Sequence, residues 1–157
     1  MENSKTFIIV EDDEHQRELL RFFLEDFGRL FKLQIQLIYM EDGQQTLDYL
    51  ENAENMPDLI FSDLRMPRVH GLELLKNLKF SPITAKIPFI LNSVFFTGKT
   101  REKAEFLGAT AVLEKPWELH TLFPLLNRLI NEKSMEKKEK FPLPQKIPSL
   151  SLQKQVV

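Results

Sequence analysis

Four short, continuous runs of apolar residues, separated by segments with helical spacing, constrain the fold of this chain more than any other feature. The runs lie at 7–10, 59–61, 87–91 and 111–113. Continuous rather than alternating hydrophobicity is typical of strands covered on both faces, as in a parallel sheet. A fifth run, at 35–40, alternates more and indicates an edge strand.

The segments between these runs have the spacing of amphipathic helices. Residues 14–31 and 119–130 place apolar side chains at intervals of three and four residues. Shorter helices are predicted at 43–53, 71–80 and about 99–107. Strands that alternate with helices need crossover connections, which are right-handed and cover both faces of a parallel sheet. The sequence therefore predicts an α/β fold with a doubly wound, five-stranded parallel sheet.

The composition excludes several classes of function. The chain has no cysteine, which rules out disulfides, thiolate metal sites and cysteine nucleophiles. Its net charge of −2 gives no general case for nucleic-acid binding. No apolar run approaches the roughly 18 residues of a membrane span, and the first ten residues lack the pattern of a secretory leader. We therefore expect a cytoplasmic protein that neither inserts into a membrane nor binds nucleic acid directly.

The pattern changes near residue 134. Residues 134–157 carry five Lys, two Glu and three Pro and show no hydrophobic periodicity, which predicts a basic, disordered tail. Residues 1–133 have the size of one domain. The Phe-Pro-Leu-Pro stretch at 141–144 fits either a docking peptide or a plain solvated tail.

Polar residues follow each central strand at the point where the apolar run ends. They are Glu11, Asp12, Asp13, Asp63, Ser93 and Lys115. Sites in open parallel sheets lie beyond the carboxyl ends of the strands, so we expect these side chains to share one crevice. Any one of them alone is more commonly a solvated loop residue, but their joint occurrence indicates a site.

The chemistry of these groups indicates phosphoryl transfer. Carboxylates in one crevice repel each other unless a cation neutralises them, and Mg²⁺ is the hard cation that takes carboxylate oxygens. Lys115 and Ser93 suit a group with several anionic oxygens. The chain has no Gly-rich phosphate loop, which argues against nucleotide binding of that kind.

The placement of the carboxylates suggests their roles. Glu11 and Asp12 form an adjacent pair suited to holding metal, whereas Asp63 stands alone at the end of the central strand. A carboxylate can attack phosphorus to give an acyl phosphate. Mg²⁺ and Lys115 would offset charge on the transferring group while Asp63 attacks.

At about residues 5–133 the sequence resembles the receiver domain of two-component response regulators. The matching stretches are Ile-Val-Glu-Asp-Asp at 9–13, Asp-Leu-Arg-Met-Pro at 63–67 continuing to Gly71, the segment 88–93, and Gly108-Ala109 followed by Glu-Lys-Pro at 114–116. The resemblance implies a flavodoxin-like fold with strand order 2-1-3-4-5. It also implies that a histidine kinase or a histidine phosphotransfer protein phosphorylates Asp63.

The resemblance further implies the ligands of the metal. Glu11 and Asp12 match the acidic pair of the family, with Asp12 as a direct Mg²⁺ ligand beside Asp63, and the backbone carbonyl of Arg65 completes the protein's share of the shell. Ser93 matches the hydroxyl that turns toward the phosphoryl group, and Lys115 the lysine that pairs with it.

A departure from the family pattern affects how a signal could be carried. Val112 stands where the family has a Tyr or Phe in the fifth strand, so rotation of an aromatic ring cannot carry the signal.

These features favour a single-domain signalling receiver: a phosphoacceptor with at most self-phosphorylation and self-dephosphorylation activity, and not an enzyme. Its output would pass through contact with a downstream protein, and a homodimer through the last two helices stays open. The alternative is an aspartate-nucleophile phosphohydrolase, which needs a second Asp two residues beyond the nucleophile, where this chain has Arg65. A flavin-binding module on the same fold would need phosphate loops that the chain lacks.

Overall fold

The computed structural model describes residues 3–135, in which five strands alternate with five helices. The elements are β1 (Ser4–Val10), α1 (Glu14–Phe31), β2 (Gln34–Met40), α2 (Gly43–Glu51), β3 (Leu59–Asp63), α3 (Gly71–Lys79), β4 (Phe89–Ser93), α4 (Gly98–Phe106), β5 (Ala111–Glu114) and α5 (Leu119–Met135). A short 3₁₀ turn at Thr84–Lys86, which the sequence analysis did not predict, precedes β4. Across residues 3–135, no helix combines the length and the apolar character needed to cross a membrane.

The strands form one parallel sheet in the order β2-β1-β3-β4-β5. This confirms the predicted fold class and strand order. The register aligns Val10 with Ser62 and Asp63 with Asn92, so β1, β3 and β4 end at about the same level. The carboxyl ends of the central strands therefore form a single edge.

Two apolar layers cover the two faces of the sheet. Successive residues of a strand point to opposite faces, and in β1 Ile8 and Val10 contribute to one layer while Phe7 and Ile9 contribute to the other. Buried residues from the helices of the first layer are Leu50, Leu74, Leu75, Leu78 and Ala104. Buried residues from the helices of the second are Leu20, Leu24, Phe27, Leu122, Leu126, Leu129 and Ile130. Both faces of β1 are buried, which explains its uninterrupted apolar run.

β3 and β4 extend further than their hydrophobicity predicts. They continue through Ser62–Asp63 and Asn92–Ser93, and all four polar residues are buried. Hydrogen bonds satisfy these groups in part: Asn92 Nδ2 donates to the carbonyl of Ser62 at 2.8 Å, and Ser62 Oγ donates to that of Asp63 at 2.9 Å. Asp63 and Ser93 are thus the last residues of their strands.

α5 also exceeds its prediction. It ends at Met135, inside the segment 134–157 that the sequence assigns to the tail. The remainder of that segment, including the stretch 141–144, lies outside the described residues, so the tail stays a prediction.

Two leucines of α1 test the assignment of its buried face. Leu24 is fully buried and Leu30 is 65% exposed. Leu24→Ala should lower the free energy of unfolding by about 2–5 kcal/mol, since it removes buried methyl groups and leaves a cavity. Leu30→Ala, a matched control on the same helix, should change it by less than about 0.5 kcal/mol. Urea unfolding of both variants measures these values, and equal losses would contradict the assignment.

Candidate functional site

Three carboxylates converge at the carboxyl edge of the sheet. Glu11 follows β1, Asp12 is the next residue, and Asp63 ends β3. One carboxylate oxygen from each of the three lies within 4.8 Å of the others. Glu11 and Asp63 are buried, whereas Asp12 is exposed. The three carboxylates therefore lie close together, and one of them faces solvent.

Lys115, which directly follows β5, neutralises part of this charge. Its Nζ donates to Glu11 Oε2 at 2.8 Å and lies 3.2 Å from Asp63 Oδ1. The Lys115 side chain is only 9% exposed, and its Nζ lies 5.6 Å from the centre of the Trp117 ring. One ammonium group thus contacts both buried carboxylates.

Local hydrogen bonds fix the acidic segment after β1. The amide of Glu11 donates to the carbonyl of Met40 at 3.0 Å, which ties it to the end of β2. Asp13 accepts a hydrogen bond from the amide of Gln16 at 3.0 Å and caps α1. Asp13 therefore serves the helix rather than the carboxylate cluster, and the metal candidates of this segment are Glu11 and Asp12.

Burial dominates the electrostatics of the site. Burial raises the pKa of Asp63, and the charge of Lys115 offsets this only in part. Burial likewise raises the pKa of Glu11, against the hydrogen bond from Lys115 and together with the charge of Asp63. For Lys115, burial alone would lower the pKa, but the hydrogen bond to Glu11 and the charges of both carboxylates outweigh it and raise the pKa. Three carboxylates around one lysine leave negative charge that favours a further cation.

Ser93 lies at the same edge of the sheet. It is buried at the end of β4, one residue beyond Asn92, the register partner of Asp63. Its Oγ accepts a long hydrogen bond of 3.4 Å from the amide of Phe95. The amide of Lys115 donates to the carbonyl of Ser93 at 2.9 Å, which joins the ends of β4 and β5.

Arg65 lies two residues beyond Asp63, in the loop 64–70, with its side chain exposed. The amide of Leu64 donates to the carbonyl of Asn92, and the amide of Gly71 donates to that of Leu64. A Cβ at Gly71 would lie 2.4 Å from the carbonyl oxygen of Asp63, so only glycine permits this close approach. These contacts keep the start of the loop beside the carboxylate cluster.

Val112 is half-buried in β5 and lines a cavity of about 440 Å³ with Arg101, Trp117 and Leu122. Trp117 is buried and packs edge-on against Phe61, with ring centres 5.7 Å apart. The peptide bond between Lys115 and Pro116 is cis.

Sequence reasoning missed two residues beside the site, Asp42 and Arg68. Asp42 is buried, caps α2 and forms an ion pair with Arg68 of the loop 64–70. The Asp-Gly pair at the start of a helical segment is a recognisable capping signal. The pairing with Arg68 has no local signal, because 26 positions separate the two residues.

Comparisons with known proteins agree with this geometry. The sequence model of the response regulator receiver domain matches residues 7–127. The polar-differentiation response regulator DivK of Brucella anthropi is 33% identical over 112 residues, which cover 71% of this chain and 85% of that protein.

Solved structures show the same fold. The receiver domain of a signal transduction histidine kinase from Syntrophus aciditrophicus superposes with a TM-score of 0.71 at 28% identity, over 90% of this chain and 99% of that one. The receiver domain of a sensor histidine kinase from Pseudomonas aeruginosa, with a magnesium ion coordinated in its active-site cleft, has a TM-score of 0.69 at 21% identity, over 82% and 98%. With a family match across most of its length, the chain belongs to the response regulator receiver domain family of two-component signalling.

Proposed function

We propose that this protein is a single-domain response regulator that accepts a phosphoryl group on Asp63 from a histidine kinase or a histidine phosphotransfer protein. Phosphoacceptor signalling is the general role of the family. The observation that carries the proposal is the convergence of Glu11, Asp12 and Asp63 within 4.8 Å, with Lys115 in contact with both buried carboxylates.

The donor set fits Mg²⁺. Carboxylate oxygens are hard ligands, and the cluster holds three carboxylates against the single ammonium group of Lys115. Glu11, Asp12 and Asp63 would hold the ion, and the backbone carbonyl of Arg65 would add a fourth oxygen. When bound, the ion offsets charge on the phosphoryl oxygens.

Each residue then has a defined role in the transfer. A carboxylate oxygen of Asp63 attacks phosphorus, and the bond from phosphorus to the imidazole nitrogen of the donor breaks; the electron pair goes to that nitrogen, and because the other ring nitrogen carries a proton the leaving imidazole is neutral. Lys115 Nζ, already 3.2 Å from Asp63 Oδ1, pairs with a phosphoryl oxygen. Ser93 Oγ accepts from Phe95, so its own proton is available for donation to the phosphoryl group.

The output is proposed to be a shift between two states of the segment after β4, read by a downstream protein. Phe95 in this segment is 60% exposed, and Val112 has no ring that could rotate. A cytoplasmic location without direct nucleic-acid contact belongs to the same proposal, which leaves pairing of two copies open. Arg65 in place of a second Asp speaks against a phosphohydrolase.

Phosphorylation of Asp63 can be tested by mass measurement. Incubation with a small phosphodonor and Mg²⁺ should add one phosphoryl group of about 80 Da, stable in acid and labile in base. Asp63→Asn should remove the adduct, because an amide oxygen does not form the acyl phosphate. Asp48→Asn, which changes an exposed aspartate of α2, should retain it. An adduct of equal yield on Asp63→Asn would exclude Asp63 as the acceptor.

Mg²⁺ affinity should depend on pH. The pKa values of Glu11 and Asp63 are raised, so protons compete with the metal at higher pH than at exposed carboxylates. Mg²⁺ should therefore bind more weakly at about pH 5 than at about pH 7.5. The affinity should stop rising once the pH exceeds the pKa values of both carboxyl groups. Fluorescence of Trp117, beside Lys115, measures the affinity.

Equal affinity of the wild type for Mg²⁺ at about pH 5 and about pH 7.5 would show that the buried carboxylates do not hold the ion.

Asp12→Asn should weaken Mg²⁺ binding throughout the pH range, since it removes the exposed ligand. Asp48→Asn, the control, should not weaken it.

A further inference from the structure

An ion pair ties the loop after β3 to the start of α2. Arg68 Nε donates to Asp42 Oδ2 at 2.6 Å, and Nη2 contacts the same oxygen. The side chain of Asp42 is 2% exposed, whereas that of Arg68 is 60% exposed. The arginine therefore reaches from the loop surface to a buried carboxylate.

Both oxygens of Asp42 have partners. Oδ1 accepts a hydrogen bond from the amide of Gln45 at 2.9 Å and so caps α2. Oδ2 accepts a hydrogen bond from the guanidinium of Arg68. Burial raises the pKa of Asp42, but the hydrogen bond from Gln45 and those from Arg68 outweigh it and hold the pKa below its usual value. Asp42 is thus a charged group at neutral pH, and Arg68 is its ionic partner.

A backbone contact beside the ion pair makes the junction tight. The amide of Gly43 donates to the carbonyl of Val69 at 2.9 Å. A Cβ at Gly43 would lie 2.5 Å from that oxygen, so the loop backbone packs directly on glycine. Two adjacent loop residues, Arg68 and Val69, are therefore held by two adjacent residues at the start of α2.

The backbone of Arg68 has a conformation that its own side chain does not favour. Its φ of 59° lies in the left-handed region, where glycine is the usual residue. In this conformation the guanidinium of Arg68 contacts the carboxylate of Asp42.

The same loop carries Arg65, three residues before Arg68 and two after Asp63. Its beginning is fixed by the bond from Leu64 to Asn92, and its middle by the junction with α2. A loop held at both points presents the Arg65 carbonyl in one arrangement. A metal that uses this oxygen then need not order the loop on binding.

We propose that Asp42 and Arg68 are positioning residues for the metal site, acting through the loop 64–70. The proposal rests on the function proposed above and adds to it a determinant that lies outside the carboxylate cluster. Neither residue touches the reacting groups. Their contribution is to fix the backbone that supplies the Arg65 carbonyl.

Two substitutions separate the ion pair from other roles of these residues. Asp42→Asn removes the charge but keeps an oxygen that can cap α2. Arg68→Gly removes the guanidinium but readily adopts the left-handed backbone. Both should weaken Mg²⁺ binding about tenfold, by Trp117 fluorescence, as is typical for residues that support metal ligands. Because both substitutions remove the same ion pair, the double variant should bind Mg²⁺ no more weakly than either single variant.

Two further variants serve as references. Arg68→Lys should bind Mg²⁺ more tightly than Arg68→Gly but more weakly than the wild type, because lysine keeps the positive charge but lacks the planar guanidinium group. Arg29→Ala should bind Mg²⁺ like the wild type, although it also breaks an ion pair of a largely exposed arginine, 2.9 Å from Asp26 on α1.

Amide hydrogen exchange of the metal-free protein gives a readout independent of Mg²⁺. Residues 64–70 should exchange several-fold faster in Asp42→Asn and Arg68→Gly than in the wild type, with strands β1 and β3 unchanged. A purely stabilising role would instead speed exchange across the whole domain.

The outcomes distinguish this proposal from the proposed function. If the wild type does not bind Mg²⁺, the proposed function fails. If the wild type binds Mg²⁺ and the folded Asp42→Asn and Arg68→Gly variants bind it equally well, the positioning role is overturned. Weaker binding together with faster exchange confined to the loop supports it.

Discussion

The shared contact of Lys115 with Glu11 and Asp63 holds the site together. It joins groups from the ends of β1, β3 and β5, with bonds of 2.8 and 3.2 Å in a largely buried position. Without an opposing charge, two buried carboxylates at this distance would favour protonation. Lys115 reduces that tendency without removing it, so the cluster keeps a preference for positive charge. This excess of carboxylates over ammonium groups is the basis of the proposed magnesium site.

The sheet makes this arrangement possible because both of its faces are covered. The buried layers on either side fix the strands, and the parallel register brings their carboxyl ends to one edge. Polar groups such as Asn92 and Ser62 then bond to the sheet backbone at that edge. The site therefore stands on the ends of the strands, while the loop 64–70 and the segment after β4 lie around it.

Much of the fold could be predicted because its signals are local. The apolar runs and the helical spacing identified the five strands and the five α-helices of residues 3–135, and the crossover rule gave the parallel sheet. The errors lie at the boundaries. The apolar runs of these strands stop before Ser62 and Asn92, but hydrogen bonding carries polar residues into β3 and β4, which a hydrophobicity pattern does not register. Asp13 was grouped with the crevice, although its local role is to cap α1.

The sequence by itself determined which residues meet at the edge of the sheet, since parallel strands of known order bring Glu11, Asp63 and Lys115 together whatever their exact packing. Only the tertiary structure decided how they meet. Burial raises the pKa values of the two carboxylates, and burial depends on how the layers close over the strand ends rather than on residue type. The pairing of Asp42 with Arg68 likewise required the folded chain, because a left-handed backbone and a separation of 26 positions leave no periodic trace in the sequence.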